Sequence, residues 1–304
     1  MGGVWHWNRY PGLRCDVPSH AHQFAFAPNP DWKHIWASGE EIQQYHREIV
    51  ERLQLDWRLR LGCEVTSVVF AGKRWRVSIA GDDEIDADFL VAATGVLHHP
   101  FIPDIPGLDS FTGRVGHTAR WTDIDTAGKR LAVIGTGSTG FRCFPHQPDA
   151  ARITHFVRTR QWVLWMPMGL RQPHLAGRLL RVLPRLERIV DQVQRVGSDL
   201  FVDLVTRPTW RRRLAQGYAR LCLRVLVRDK ALRVRLTPNY QPFCKRQVIS
   251  GSYYRAISKP NASLVTEPIA AVSPTGIETA DGVHHDLDAI VLATGFPAHN
   301  TCAR

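Results

Sequence analysis

No apolar stretch of this 304-residue chain approaches the roughly 18 residues that a membrane-spanning helix needs. The N-terminus also lacks the charged-then-apolar run of a secretion signal. A cytoplasmic protein without a transmembrane segment is therefore expected. There is no C-x-x-C pair: Cys15, Cys63, Cys143, Cys222, Cys244 and Cys302 lie far apart, which argues against a metal site, a redox dithiol or a disulfide-stapled scaffold. Nor do aromatic and basic residues interleave as in a nucleic-acid surface, so no nucleic-acid partner is expected. Finally, the glycine-loop pattern G-x-G-x-x-G occurs once and is not repeated.

What is present in excess is positive charge. A net charge of +11 favours a polyanionic ligand, such as a phosphorylated cofactor, an acidic lipid or a nucleic acid. Most of that charge lies between Arg171 and Arg235. In "RLLRVLPRLERIVDQVQRV", Leu179, Leu183, Leu186, Ile189 or Val190, Val193 and Val196 recur at the three- and four-residue steps of one helix face, with arginines opposite. The reading is a packed helix pair with a solvated basic face. A lipid or nucleic-acid surface is the alternative.

The flanks read as strands, and the length allows two domains. "CEVTSVVFAGKRWRVSI" predicts a hairpin around Ala71-Gly72, and "IDADFLVAATG" a short buried strand ending at Gly95. The order returns in "ASLVTEPIAAVSPTGIETADGVHHDLDAIVLATG", with turns at Pro274 to Gly276 and Asp281-Gly282 and a strand ending in Ala293-Thr294-Gly295. Two related units follow from this repetition.

Between them, the apolar strand Leu131 to Ile134 runs into Gly135-Thr136-Gly137-Ser138-Thr139-Gly140. At a strand end and a helix start, this pattern places backbone N–H groups and the positive helix end on a pyrophosphate. Gly135 permits the turn, Gly137 the approach of the phosphate, and Gly140 the contact of helix and strand. About 20 residues past such a loop an acid would select NAD. Here "ITHFVRTRQW" offers Arg158 and Thr159 instead, so NADP(H) is expected. Pro145 and Pro148 predict that the helix after the loop is short or bent.

Phe111-x-Gly113-x-x-x-His117-x-x-x-Trp121 resembles the fingerprint of the Baeyer-Villiger monooxygenases, flavoproteins close to the flavin-containing monooxygenases. "GGVWHWNRYPGLRCDVPSH", "AATGVLHHPFIPDIPGLDSF", "VIGTGSTG", "CKRQVISGSYY" and "IVLATGF" follow the family's order, so the likeness spans nearly the whole chain. The resemblance implies an α/β fold of two dinucleotide-binding, Rossmann-like domains, with FAD and NADPH as cofactors. It implies a partial FAD domain over 1–124, an NADP domain over 125–164 and 245–296, a helical insertion over 165–244 and a tail over 297–304. In such enzymes NADPH reduces the flavin, O2 forms a C4a-peroxyflavin, and this attacks a ketone or a soft heteroatom.

By the same resemblance, Val4, Trp5, Trp7, Arg14 and Cys15 lie against the flavin, and Asp16 pairs with a mobile arginine, Arg246, at the reacting centre. A guanidinium there stabilises anionic oxygen. Lys245 joins Arg158 and Thr159 on the 2'-phosphate, while Phe111, Gly113, His117 and Trp121 couple the domains rather than react. Three departures concern pocket shape and cofactor fit: Thr122 stands before Asp123, His22 replaces a tyrosine, and Arg160 replaces a proline.

Relatives of this kind open with a first glycine loop, a helix and an acid-ended strand, and return to the FAD domain after "LATGF". The expectation is thus a chain truncated at both ends, whose Met1 stands where the FAD-pyrophosphate unit has just finished, and which does not bind FAD tightly. The alternatives are a gene remnant and a non-catalytic NADP(H)-binding protein. A disulfide reductase is disfavoured by the missing cysteine pair.

Overall fold

The computed structural model describes residues 1–81, 83–121 and 124–297. Thr122, Asp123 and Cys302, and all of the 297–304 tail except Pro297, lie outside the described residues. The chain opens with a single helical turn, α1 (Val4–Trp7), and reaches α2 (Gly39–Arg52) through irregular backbone. α2 begins on a capping box. The Ser38 hydroxyl accepts from the Glu41 N–H at 3.2 Å, and the Glu41 carboxylate accepts from the Ser38 N–H at 3.0 Å. Such a cap is worth about 1 kcal/mol. Ile42, Tyr45 and Ile49 share one face of α2 and pack with Cys15, Ala27, Trp32 and Ala37.

A meander follows: β1 (Val65–Ala71), β2 (Arg74–Ile79) and β3 (Asp83–Ala87), antiparallel in that order, turning at Gly72 with φ 71°. The next segment corrects the sequence reading. "FLVAATG" forms no strand, and Phe89 is 90% and Val91 85% exposed. No strand among the described residues pairs with it and no layer covers it, so apolar composition alone cannot make it a buried strand.

The rest of the chain is built on a parallel sheet. In chain order come β4 (Arg114–His117), β5 (Arg130–Ile134), β6 (Arg152–Phe156), the short parallel pair β7 (Val163–Leu164) and β8 (Val248–Ile249), and β9 (Ala262–Val265). A second meander of β10 (Ile269–Ser273), β11 (Gly276–Thr279) and β12 (His284–Asp286) precedes β13 (Ala289–Leu292). The large sheet has the order β4-β13-β5-β6-β9, all neighbours parallel. β4 is its edge strand, so the sheet recruits residues before position 124, where sequence reading placed the end of the flavin side.

Alternation explains why these strands are apolar throughout. Leu131, Val133, Ile153, Ala289 and Val291 face one way, into a core shared with Phe141, Phe144 and Tyr253. Ala132, Ile134, Phe156, Ile290 and Leu292 face the other, against Phe111, Val272, Ile277 and Leu287. One face is therefore covered by helices and the other by the second meander. Here the repeated pattern of the sequence succeeds: β13 occupies the place in the second unit that residues 89–95 hold in the first, and it is buried because neighbours flank it on both sides.

The helices are α3 (Ser138–Cys143), α4 (His174–Val182), α5 (Pro184–Thr206), α6 (Trp210–Leu226), α7 (Lys230–Leu236) and α8 (Tyr253–Ile257). As the prolines predict, α3 is short and runs into a 3-10 turn over Phe144–His146. The long amphipathic stretch is two helices rather than one, because Leu183 leaves helical geometry and Pro184 starts α5 at its first position. Its apolar stripe is packed only in part: Leu204 and Val205 of α5 lie against the main core, whereas Ile189, Val193 and Val196 are more than half exposed.

Candidate coenzyme site

The carboxyl ends of β4, β13, β5 and β6 lie side by side, since His117, Leu292, Ile134 and Phe156 are register partners in turn. In an open parallel sheet this edge is where ligands bind. The glycine loop leaves β5 here, on the border where the strand order reverses: β6 and β9 lie to one side of β5, β13 and β4 to the other. Thr136 belongs to the turn, and Ser138 and Thr139 open α3.

The fold requires two of its three glycines. Gly135 has φ 140°, and a Cβ there would stand 2.2 Å from the Ala293 carbonyl oxygen, so both conformation and close approach demand glycine. At Gly140 a Cβ would meet the Gly135 carbonyl oxygen at 2.7 Å, so helix and loop touch. Gly137 differs. Its φ is −85°, open to any residue, and a Cβ there would meet nothing within 4 Å. Neither backbone nor packing requires it.

Beneath the loop lies a side chain that sequence reading missed. His155 is fully buried in β6, between the rings of Phe141 and Phe144. Its Nε2 lies 2.8 Å from the Gly135 carbonyl oxygen and its Nδ1 2.9 Å from the Tyr253 hydroxyl. A carbonyl only accepts, so Nε2 carries the proton and Nδ1 accepts from the tyrosine. Burial pushes the imidazole pKa down to about 4, opposed by the bond to Gly135, so it stays neutral near pH 7. No periodicity or motif singles out this histidine.

The N-terminal segment packs onto α3. Tyr10 is buried, its hydroxyl bonded to Thr139, and a Cβ at Gly12 would strike the His146 ring at 2.3 Å. Arg142, with a side chain only 7% exposed, bonds the Asp16 carboxylate, the Arg14 carbonyl oxygen and, at 3.5 Å, the Ile249 carbonyl oxygen. In this structure Asp16 thus pairs with Arg142, where the resemblance had implied Arg246. Arg142 projects from α3 directly onto the 14–16 turn and takes its carboxylate, whereas Arg246 is exposed and meets the buried guanidinium as a like charge. A cavity of about 300 Å³, lined by Tyr10, Gly12, Arg14, Ser38 and His146, lies on the His146 side of α3.

Among the other flavin-side candidates, Arg14 donates to the Trp36 carbonyl oxygen at 2.9 Å, and burial raises the Cys15 thiol. Trp5 packs beside the α2 cluster and meets His22 edge-on at 5.6 Å, and Val4 is half-buried in α1. Trp7 is exposed beneath the Arg120 guanidinium, 4.4 Å from its ring centre. The fingerprint residues serve packing. Phe111 fills the core under the second meander, and Gly113 is pressed against the Asp288 carbonyl oxygen, 2.4 Å from where its Cβ would be. Trp121 packs on the main core. His117 accepts from the Ala119 N–H at 3.0 Å and, desolvated by burial, has a pKa of about 4.

Arg158 is exposed and Thr159 half-buried, two and three residues beyond the end of β6; Arg160 follows. The Lys245 ammonium sits 4.7 Å above the ring of Tyr240, whose hydroxyl bonds Gln161. The cations expected to serve one phosphate thus lie on two segments joined through Tyr240.

A family model for pyridine nucleotide-disulphide oxidoreductases matches residues 20–165. An uncharacterized monooxygenase of Mycobacterium tuberculosis is 46% identical over 301 residues, covering 98% of this chain and 60% of the relative. A Baeyer-Villiger monooxygenase of Streptomyces coelicolor is 38% identical over 301 residues, covering 97% of this chain and 57% of its own length. The structure of an oxidized steroid monooxygenase bound to NADP superposes with a TM-score of 0.83 at 33% identity, over 98% of this chain and 66% of that one. The chain belongs to the Baeyer-Villiger monooxygenase family of flavoproteins.

The α/β class and the resemblance read from the sequence therefore stand. This family member spans about 60% of the length of the curated relatives it matches. Among the described residues, Cys15, Cys63, Cys143, Cys222 and Cys244 are free thiols. Among the described residues, no helix is long and apolar enough to cross a membrane, and no group of side chains is arranged to hold a metal ion.

Proposed function

We propose that this chain carries the NADPH site of an FAD- and NADPH-dependent monooxygenase that inserts one atom of O2 into a ketone or a soft heteroatom. Gly137 carries the proposal. The fold gives no reason for glycine there, and the empty space where its side chain would be adjoins the first-turn N–H groups of α3, which a helix cannot bond internally. A pyrophosphate supplies the missing reason. Arg158, Thr159 and Lys245 are proposed to receive the 2'-phosphate, since a guanidinium and an ammonium on adjoining segments suit a dianion.

Trp5, Trp7, Val4, Arg14 and Cys15 are the residues proposed to face FAD, which when bound would supply the oxygen-activating chemistry. The chain's own contribution at the reacting end is charge. Arg246 holds a permanent cation at the exposed end of the 244–246 segment, suited to an oxygen that becomes anionic, and Arg142 holds Asp16 fixed behind it. A second reading, coenzyme binding without oxygenation, is favoured by the uncovered Phe89 to Ile102 segment, which leaves the flavin side open. NADPH-dependent oxygen consumption with added FAD separates the two.

The test is calorimetric titration with NADP+ and NAD+. The wild-type chain is expected to prefer NADP+ by about tenfold or more, the scale of one charged hydrogen bond or better. Gly137→Val is expected to lose about tenfold or more in affinity for both dinucleotides while keeping the wild-type urea midpoint. Equal binding of NADP+ and NAD+ overturns the 2'-phosphate assignment, and unchanged binding by the valine variant overturns the loop assignment.

A further inference from the structure

The segment between α7 and β8 is built in a way that the coenzyme loop does not explain. Phe243 has φ 69°, a left-handed backbone that bulky residues rarely adopt, and its ring is buried. This sharp bend turns the chain back so that Lys245 lies over Tyr240. Tyr240 is itself held at both ends by the segment that follows Arg158 and Thr159. Its hydroxyl donates to the Gln161 side-chain oxygen, and its carbonyl oxygen accepts from the Trp162 indole N–H at 2.7 Å. Behind it, Gln216 of α6 donates to the Pro242 carbonyl oxygen at 3.1 Å. Lys245 makes no ion pair among the described residues, so the aromatic face is the contact that places it.

We infer that Tyr240 is a specificity-determining positioning residue, which secures the preference for a 2'-phosphorylated coenzyme by tying Lys245 to the Arg158–Thr159 segment. This rests on the coenzyme reading above and extends it to a residue that touches no coenzyme atom. A long, flexible lysine loses much rotamer freedom when it must reach a phosphate, and a ring that holds the ammonium removes part of that cost beforehand. The ring leaves the ammonium protons free on its outer side, so holding and donating are compatible. Tyrosine suits both tasks because its face attracts the cation and its hydroxyl reaches Gln161.

The experiment is calorimetry on the full chain, with NADP+ and NAD+ as probes. Y240L is expected to weaken NADP+ by about two- to fivefold, the worth of an exposed cation–π contact, and to leave NAD+ unchanged. Y240F keeps the ring over Lys245 and the backbone bond to Trp162, giving up only the hydroxyl bond to Gln161, and is expected to stay within about twofold of the wild-type ratio. In the K245A background, Y240L is expected to cause no further loss. Y240M serves as the second non-aromatic variant if the leucine change prevents folding. An equal loss for both dinucleotides, or no loss for either, overturns the inference. A wild-type chain that fails to distinguish NADP+ from NAD+ instead overturns the coenzyme reading on which it rests.

Discussion

Asp16→Ala is expected to lower the unfolding free energy by about 3 kcal/mol, because it leaves the Arg142 guanidinium buried without its counter-charge. Arg142 is 7% exposed at its side chain, and the carbonyl oxygens of Arg14 and Ile249 offer it partial charges, not a neutralising one. The loss sits at the low end of the range for broken buried pairs, since Asp16 keeps 30% of its side-chain surface and water reaches its side. D16N, which preserves an accepting oxygen, is expected to cost less. The double variant D16A/R142M, which removes both charges, is expected to recover most of the loss, since a buried pair replaced by apolar side chains is often close to neutral. Urea midpoints of the four proteins decide this. A double variant as unstable as D16A would show that the charge pair is not what the single change breaks.

The second large effect is on acid stability. His155 and His117 are both held near pKa 4 by burial, against about 6.5 in an unfolded chain. Between those values the unfolded chain binds protons that the native chain refuses. Stability is therefore complete above about pH 6.5 and falls as the pH drops toward 4. For His155 alone the total is about 3 kcal/mol, and the steepest slope is about 1.4 kcal/mol per pH unit per histidine. His155→Phe is expected to flatten its share of this dependence while lowering stability at neutral pH, because the Gly135 carbonyl oxygen and the Tyr253 hydroxyl lose their partner. Urea titrations at pH 7.5 and 5.0 measure both. A wild-type midpoint that is the same at the two pH values contradicts the assignment.

The features that were legible in the sequence are those written in local chemistry. The glycine loop stands at a strand end because Leu131 to Ile134 are apolar in succession and the glycines follow at once. The short α3 is written in Pro145, and the β1-β2 hairpin and the second meander are written in turn residues at Gly72, Pro274 to Gly276 and Asp281-Gly282. What was not legible depends on distant neighbours. "FLVAATG" and "AIVLATG" look alike, yet only the second has strands beside it. The stripe of Ile189, Val193 and Val196 carries a helical period, but a period does not reveal whether anything covers it. Arg142 resembles any arginine in a helix until the fold brings the 14–16 turn to it, 126 residues away in sequence. His155 is similar: its role requires β6 to lie beside β5 and α8 to lie beneath.

The uncovered run from Phe89 to Ile102 has one further consequence. It joins the N-terminal part of the chain to Ile105, where burial under the second meander begins. Apart from Phe101, whose N–H donates to the Gly295 carbonyl oxygen at 2.9 Å and whose carbonyl oxygen accepts from Thr294, the run enters no described strand pairing, and exposed backbone of this kind is what a protease accepts first. Limited digestion should therefore nick the chain within this run. The two fragments should then migrate together on a sizing column, held by Arg142 on residues 14–16 and by Gln172, whose side chain spans His20 and Pro30.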